Sequence, residues 1–164
     1  FPCIVARRIP RSCNLLPPTP DARSAAVPKR HAARTLAVQA LYAADVKGGQ
    51  ASAAEELDKL ILSEPADKDV EAYARKLVEA AASNESADRS IESVLSSWTI
   101  DRVTPVERCI LRVGLAELEG DLGVPPIVAI DEAIRLAKEF GTKNSEKFVN
   151  GVLDAIFKKK KPAA

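Results

Sequence analysis

The side chains most able to bind a ligand are four cationic or titratable residues close together in the sequence: Lys29, Arg30, His31 and Arg34. Arg30 and Arg34 are four residues apart, so on a helix they share one face, where like charges repel each other. A bound polyanion would relieve this repulsion, and we expect the Arg34 side chain to be exposed. The alternative is that these are ordinary surface charges without a ligand.

Two further side chains on the same segment could read nucleic-acid bases. Gln39 carries an amide that can hydrogen-bond to base edges, and Tyr42 carries a ring that can stack on a base. Stacking of this kind is worth about 1–3 kcal/mol per base, and sequence-specific RNA readers generally use unpaired bases in this manner. The alternative for Tyr42 is that its ring covers the core. The residues favour binding of single-stranded RNA.

A second candidate group lies at Glu139–Asp154, where one helix is expected to end and another to begin. Gly141 could end the first helix in the left-handed conformation, and Asn144 could cap the second. Lys143 and Lys147 then place cations near a helix start, where the helix dipole favours acidic residues. This indicates a nearby anion, although two lysines on a surface helix without any ligand is the simpler alternative.

No set of side chains suggests catalysis. The chain has a single histidine, no GxSxG motif and no glycine-rich phosphate loop. Asp131 and Glu132 are adjacent, so on a helix they point about 100° apart, and we expect both to face water. The cysteines form no CxxC pair, and Cys109 is expected to be a small buried hydrophobe. We therefore expect a binding protein, not an enzyme, with no cofactor and no metal.

The elements that would carry these residues are helices. From Lys29 onward apolar residues recur at three- and four-residue spacing, and no segment alternates as a strand would. Thr104-Pro105-Val106-Glu107 is a strong helix start, and the helix that follows to about Glu119 is expected to be central and buried. We predict an all-α bundle of about seven helices. The others include Ala53–Leu62, Val70–Ala82 and a short helix whose face holds Ile91, Val94, Leu95 and Trp98.

Charge and proline content set the two ends of the chain apart. Residues 1–34 hold seven basic side chains and one acidic one, whereas the remainder holds 17 basic and 22 acidic. Residues 1–28 also contain six of the eleven prolines, which oppose helix formation. This segment is predicted to be a disordered leader, either an organellar transit peptide or a disordered tail or cloning remnant. The helical domain then spans 29–158, and 159–164 form a basic tail.

The absence of a long apolar run argues against insertion into a membrane. A transmembrane helix needs roughly 18 or more consecutive apolar residues, and no stretch of this chain approaches that length. We therefore expect no membrane partner.

Three segments together resemble the NusB family of small helical RNA-binding antitermination factors. They are RHAARTLAVQALY at Arg30–Tyr42, VERCILRVGLAELE at Val106–Glu119, and VPPIVAIDEAIRLAKEFGTKNSEKFVNGVLD at Val124–Asp154. The resemblance covers Lys29 to about Lys158. It implies two three-helix lobes, and it leaves open how the first helix relates to them.

The resemblance implies that the arginine-rich start of the first helix binds boxA, a short single-stranded RNA element. The match assigns this role to Arg30 and Arg34 and, by proximity, to Lys29. Gln39 and Tyr42 also match the motif. His31 stands where the family often has arginine, which could weaken the attraction for phosphate.

The resemblance also implies RNA contact around the turn at Lys143–Phe148. Asn144 stands where the family often has an acidic residue, so a repulsive charge is missing here. Lys147 belongs to the same turn. Phe148 either stacks on a base or anchors the core.

The family further implies a protein partner. NusB-like factors pair with NusE, a small-subunit ribosomal protein, and the pair joins the transcribing RNA polymerase and supports ribosomal RNA transcription. Glu107 is the candidate residue for this interface, with capping of its own helix as the alternative. Some relatives form homodimers, and nothing in the residues decides that here.

Two other functions stay open, as do other locations. A NusB-like domain also begins certain RNA cytosine methyltransferases, which would require this chain to be a fragment of a longer protein. A helical protein-interaction module without an RNA role is the second alternative. With a transit peptide, we expect a chloroplast location, with the mitochondrion or a bacterial cytoplasm as alternatives.

Overall fold

The computed structural model describes residues 29–48, 52–83 and 85–161 of the 164-residue chain. These ranges contain seven α-helices, a short 3₁₀ helix at Ile100–Arg102 and no strand. The predicted leader at 1–28 and the last residues of the predicted tail lie outside them. The helices are α1 (Lys29–Val46), α2 (Ala53–Ser63), α3 (Lys68–Ser83), α4 (Glu85–Glu92), α5 (Pro105–Glu119), α6 (Pro126–Phe140) and α7 (Ser145–Lys160).

The seven helices form two groups that meet at α5. The first group consists of α1, α2 and α3, which pack against one another. The second group contains α6 and α7, which pack against each other and against α5. Helix α5 also contacts α1, α3 and α4. Ten of its fifteen residues are buried, which confirms the prediction of a central buried helix. No helix in the described ranges is both long and apolar enough to cross a bilayer.

Cys109 lies on the buried side of α5. Its side chain is fully buried within the core cluster, as the sequence predicts. Burial, followed by the negative charge of Asp45, raises the pKa of the Cys109 thiol to about 12. The neutral thiol is the poor nucleophile of the two protonation states, so this residue serves packing.

The start of α5 forms as predicted. The Thr104 hydroxyl oxygen accepts a hydrogen bond from the Glu107 backbone N–H at 3.3 Å. The Glu107 carboxylate in turn accepts one from the Thr104 backbone N–H at 3.3 Å. This reciprocal capping box satisfies two N–H groups that the first helical turn leaves free.

The turn between α6 and α7 differs from the prediction. Gly141 has φ −89° and ψ −173°, so it is extended and not left-handed. A Cβ at this position would lie 2.4 Å from the Cβ of Ser145, so glycine is needed here for space. Asn144 makes no side-chain cap. The Ser145 hydroxyl oxygen instead accepts from the Thr142 backbone N–H at 2.8 Å.

Two helix ends also differ from the sequence-based prediction. Helix α4 ends at Glu92, so Val94, Leu95 and Trp98 follow it in a loop and do not extend its face. The Ser93 hydroxyl donates to the Ser90 carbonyl oxygen at 2.8 Å, and such side-chain bonds compete with helical ones. At the other end of the chain, α7 continues to Lys160, two residues past the predicted domain boundary.

Candidate nucleic-acid interface

The first two cations of α1 lie on the surface beside α3. The Lys29 Nζ atom is 3.0 Å from Asp69 Oδ2 and 3.1 Å from Asp67 Oδ2. The hydrogen bond to Asp69, followed by the one to Asp67, raises the pKa of the Lys29 ammonium above its usual value. The Arg30 guanidinium lies over the ring of Tyr73, with its carbon 4.5 Å from the ring centroid. Both cations are exposed.

Arg34 does not lie on this surface, and the prediction that its side chain is exposed is wrong. Only 4% of the side chain is exposed. Its Nε donates to Glu117 Oε1 at 2.8 Å, and its Nη1 is 3.3 Å from Glu132 Oε2. The helix places Arg34 against α5 and α6, where a buried guanidinium requires carboxylate partners. Contact between Arg34 and RNA stays a prediction.

His31 is also buried, contrary to its predicted place in an RNA site. Its Nδ1 is 2.8 Å from Glu132 Oε2, and its Nε2 is 3.1 Å from Glu139 Oε2. Each ring nitrogen is therefore within hydrogen-bond distance of a carboxylate. The prediction that Glu132 faces water is therefore wrong as well, because the Glu132 side chain is only 20% exposed and contacts both His31 and Arg34.

Tyr73 joins this buried network to the surface. Its hydroxyl donates to Glu117 Oε1 at 2.6 Å, the same oxygen that accepts from Arg34. Burial of the ring, followed by the hydrogen bond to Glu117, raises the pKa of Tyr73 to about 12. The Tyr73 ring also packs against the Arg30 guanidinium at the surface. Tyr73 is not among the predicted site residues, since its neighbours on α1 are distant in sequence.

Gln39 and Tyr42 line an apolar cavity, away from the cations at the start of α1. The cavity has a volume of about 340 Å³, and its walls come from α1, α2, α5 and α6. Tyr42 is half-buried and packs against the core, as the alternative for this residue anticipates. Base contacts by Gln39 and Tyr42 stay predictions. The remaining lining residues are Val38, Ala43, Val46, Lys47, Glu56, Leu60, Val106 and Phe140.

The second candidate group lies at the start of α7. Lys143, Asn144 and Lys147 are exposed, and Phe148 is half-buried. Neither lysine has an ion-pair partner within the described ranges. Lys147 and Phe148 line an open groove of about 390 Å³ together with Trp98. The other residues of this groove are Val94, Leu95, Ser96, Ser97, Gly151 and Val152.

Trp98 is the groove residue that the sequence analysis placed wrongly. It was predicted on the face of a helix, yet it lies in the loop after α4 and its side chain is 56% exposed. Large exposed aromatic side chains often mark binding sites when they adjoin other apolar groups. The signal in the sequence was a lone tryptophan directly after the two serines Ser96 and Ser97.

Glu107 uses both carboxylate oxygens within the chain. Its Oε2 accepts from the Thr104 hydroxyl at 2.8 Å, and its Oε1 accepts from the Ser145 hydroxyl at 2.7 Å. The carboxylate therefore caps α5 and ties it to the start of α7. The capping alternative is confirmed, and contact with a partner protein stays a prediction, since the residue is 9% exposed.

The features described so far define an all-helical protein with cations and aromatic rings exposed at two places, near the starts of α1 and α7. The model of the NusB family matches residues 31–158, and the chain belongs to the NusB family.

The chain aligns with individual relatives over nearly the whole length of those proteins. The transcription antitermination protein NusB of Methylacidiphilum infernorum is 37% identical over 134 residues, which cover 79% of this chain and 90% of that protein. The protein of the same name from Edwardsiella ictaluri is 43% identical over 134 residues, covering 81% and 94%.

Solved structures show the same fold. NusB of T. maritima has a TM-score of 0.74 at 35% identity, and the match covers 84% of this chain and 96% of that one. A crystal structure of the antitermination factors NusB and NusE in complex with dsRNA matches with a TM-score of 0.72 at 36% identity, covering 80% and 97%.

Proposed function

We propose that this chain is a non-catalytic RNA-binding transcription antitermination factor. It binds boxA-like single-stranded RNA together with a NusE-type ribosomal protein, and it supports the transcription of ribosomal RNA. The observation that carries the proposal is the groove at the start of α7, where the exposed ring of Trp98 and the half-buried ring of Phe148 adjoin the exposed cation of Lys147. Family membership and a NusB–NusE–RNA crystal structure support it.

The groove suits a single strand because unpaired bases offer ring faces that a duplex hides. A base can stack on Trp98 or Phe148, as in other proteins that bind single-stranded nucleic acids. Lys143 and Lys147 then attract the flanking phosphates. Asn144, on the turn between them, adds no negative charge that would oppose the strand. The RNA is held and leaves unaltered.

The test is RNA binding measured by fluorescence anisotropy over a range of salt concentrations. With about four phosphate contacts, the plot of log affinity against log salt should have a slope of roughly −3, from about −0.7 per phosphate on single strands. No binding, or an affinity that does not change with salt, would favour a protein-interaction module instead.

The groove is tested by Trp98→Ala and Phe148→Ala, each of which should weaken RNA binding, whereas Trp98→Phe keeps a stacking ring and should lose less. Ile127→Ala is the matched control, because Ile127 is an exposed apolar side chain on α6 that does not line the groove. Equal losses for the control and the groove variants would contradict the assignment.

The proposed partners are NusE, the transcribing RNA polymerase and a second copy of the chain. NusE should increase the affinity for boxA-like RNA in the same anisotropy assay. Glu107→Gln tests the proposed interface, because it removes the charge, and the amide oxygen can still accept from Ser145 although the acceptor for Thr104 is lost. Thr104→Ala is the control, because it also breaks the capping box but keeps the charge of Glu107. An unchanged NusE affinity for Glu107→Gln would assign Glu107 to capping alone.

Analytical ultracentrifugation tests self-association of the chain.

The composition of residues 1–28 supports a transit-peptide role and, with it, a chloroplast location. The segment holds many arginines and prolines and only one acidic residue. A fluorescent protein carrying residues 1–28 should accumulate in chloroplasts of plant cells. Accumulation in mitochondria would support the other organelle, and a diffuse signal would reject the targeting role.

A further inference from the structure

A hollow lies between the start of α1 and the exposed face of α3. It has a volume of about 390 Å³, and its lining residues are Lys29, Arg30, Asp69, Ala72, Tyr73 and Lys76. We propose that this hollow takes one backbone phosphate of the bound RNA, held between Arg30 and Lys76. The inference rests on the proposed function, and it adds Lys76 and Tyr73 of α3 to the RNA site.

The Tyr73 ring positions the Arg30 guanidinium beside the hollow. Its guanidinium lies 4.5 Å from the centroid of the Tyr73 ring, and the Tyr73 hydroxyl is fixed by its 2.6 Å hydrogen bond to Glu117. Glu117 is itself buried and bonded to Arg34. Stacking uses the flat face of the guanidinium, and Arg30 also hydrogen-bonds to the Tyr73 side chain. The guanidinium has five N–H donors, so donors remain that can reach a phosphate. Arg30 forms no ion pair with any carboxylate in the described ranges.

Lys76 supplies the second cation. It lies three residues after Tyr73 on α3, and residues at this spacing share a helix face. Its side chain is exposed, and it has no ion-pair partner in the part of the chain that the structure describes.

Lys29 has a different role in the hollow. Its ammonium is shared between Asp67 and Asp69, so these three side chains together carry one net negative charge. Arg30 and Lys76 add two positive charges, so the charged groups at the hollow remain cationic as a set. Two cations that line one hollow fit the phosphate of a strand that continues along the surface, since phosphate contacts dominate affinity for nucleic acids.

The test is Lys76→Gln in the full chain, with boxA-like RNA as the ligand. Removing one phosphate contact should make the slope of log affinity against log salt less steep by about 0.7, which corresponds to an affinity about fivefold lower at about 0.1 M salt. Circular dichroism should be unchanged, because the side chain is exposed.

Arg75→Gln is the matched control for this variant. Arg75 is the preceding residue on α3, but its guanidinium pairs with Asp58 of α2, 2.6 Å away, and does not line the hollow. Arg75→Gln removes the same unit of charge as Lys76→Gln, but it removes no side chain from the hollow. It should therefore change the slope and the affinity far less than Lys76→Gln does.

The double variant Arg30→Gln/Lys76→Gln tests whether the two cations act on one phosphate. If they do, its loss in log affinity should be smaller than the sum of the two single losses, because interacting sites are not additive. The inference is overturned if Lys76→Gln binds like the unaltered chain, or if Arg75→Gln loses as much. In both cases RNA binding by the unaltered chain would leave the proposed function standing. If the unaltered chain does not bind RNA, both fall.

Discussion

Arg34 carries the same charge as Arg30 and stands one helical turn away, yet the two residues have different roles. Arg30 remains at the surface over Tyr73, while Arg34 is enclosed by Glu117 and Glu132. The like-charge repulsion that the sequence suggested is therefore relieved inside the protein, by carboxylates from α5 and α6. Of the two arginines on this helix, one therefore serves the fold and the other stays available at the surface.

Arg34→Ala should destabilise the fold by about 3–5 kcal/mol, because it leaves the buried carboxylate of Glu117 without its guanidinium partner. Denaturant unfolding followed by circular dichroism measures this change. Arg30→Ala is the control, since its exposed side chain should change the free energy of unfolding far less while weakening RNA binding. A melting temperature unchanged by Arg34→Ala would mean that the residue is not buried as described.

Tyr73 gives the fold a dependence on alkaline pH. Its pKa is about 12 in the folded protein, against about 10 in an unfolded chain. The unfolded state therefore loses this proton first. The stability contributed by Tyr73 should be complete below about pH 10 and should be lost as the pH rises from about 10 to about 12. The difference in unfolding free energy between the unaltered chain and Tyr73→Phe should shrink over that interval, and a constant difference would contradict the shift.

At the scale of elements, the starts of helices α5 and α7 are stabilised by different hydrogen bonds. Helix α5 begins with a local capping box between Thr104 and Glu107. Helix α7 begins at Ser145, whose buried hydroxyl donates to Glu107 on α5. The capping box of α5 lies within four residues, so the sequence predicts it. The start of α7 depends on a neighbouring helix, so the sequence favours Asn144 as the cap, whereas the bond in the structure involves Ser145.

Thr104→Ala removes the acceptor for the first turn of α5 and should cost about 1 kcal/mol of stability, as loss of a helix cap usually does. Thr104→Ser keeps the hydroxyl and should cost much less. Urea unfolding of the three proteins provides the comparison. Equal stabilities for the alanine and serine variants would show that the hydroxyl contributes nothing to the helix start.

At the scale of the whole molecule, α5 packs against both helical groups. It contacts α1 and α3 on one side and α6 and α7 on the other. The candidate RNA surfaces lie on both groups, with Arg30 and Lys76 on the first and the Trp98 groove beside α7. A strand that engages both surfaces therefore depends on their fixed relative position.

Leu115→Ala should destabilise both groups together, by about 2–5 kcal/mol, because Leu115 is fully buried in α5 and its truncation leaves a cavity. Thermal unfolding followed by circular dichroism and by Trp98 fluorescence should give one coincident transition, as for a two-state domain. Two separate transitions would show that the helical groups unfold independently.

The sequence by itself determined the helical class, the start of α5, its central position and the family, because helical periodicity and capping are properties of neighbouring residues. Only the tertiary structure decided which cations face water. His31 and Arg34 are buried because carboxylates from α5 and α6, about a hundred positions away in sequence for Glu132 and Glu139, lie against α1. The same long-range packing exposes Trp98 beside Phe148 and sets Lys76 opposite Arg30, since side chains meet across helices only once the chain has folded.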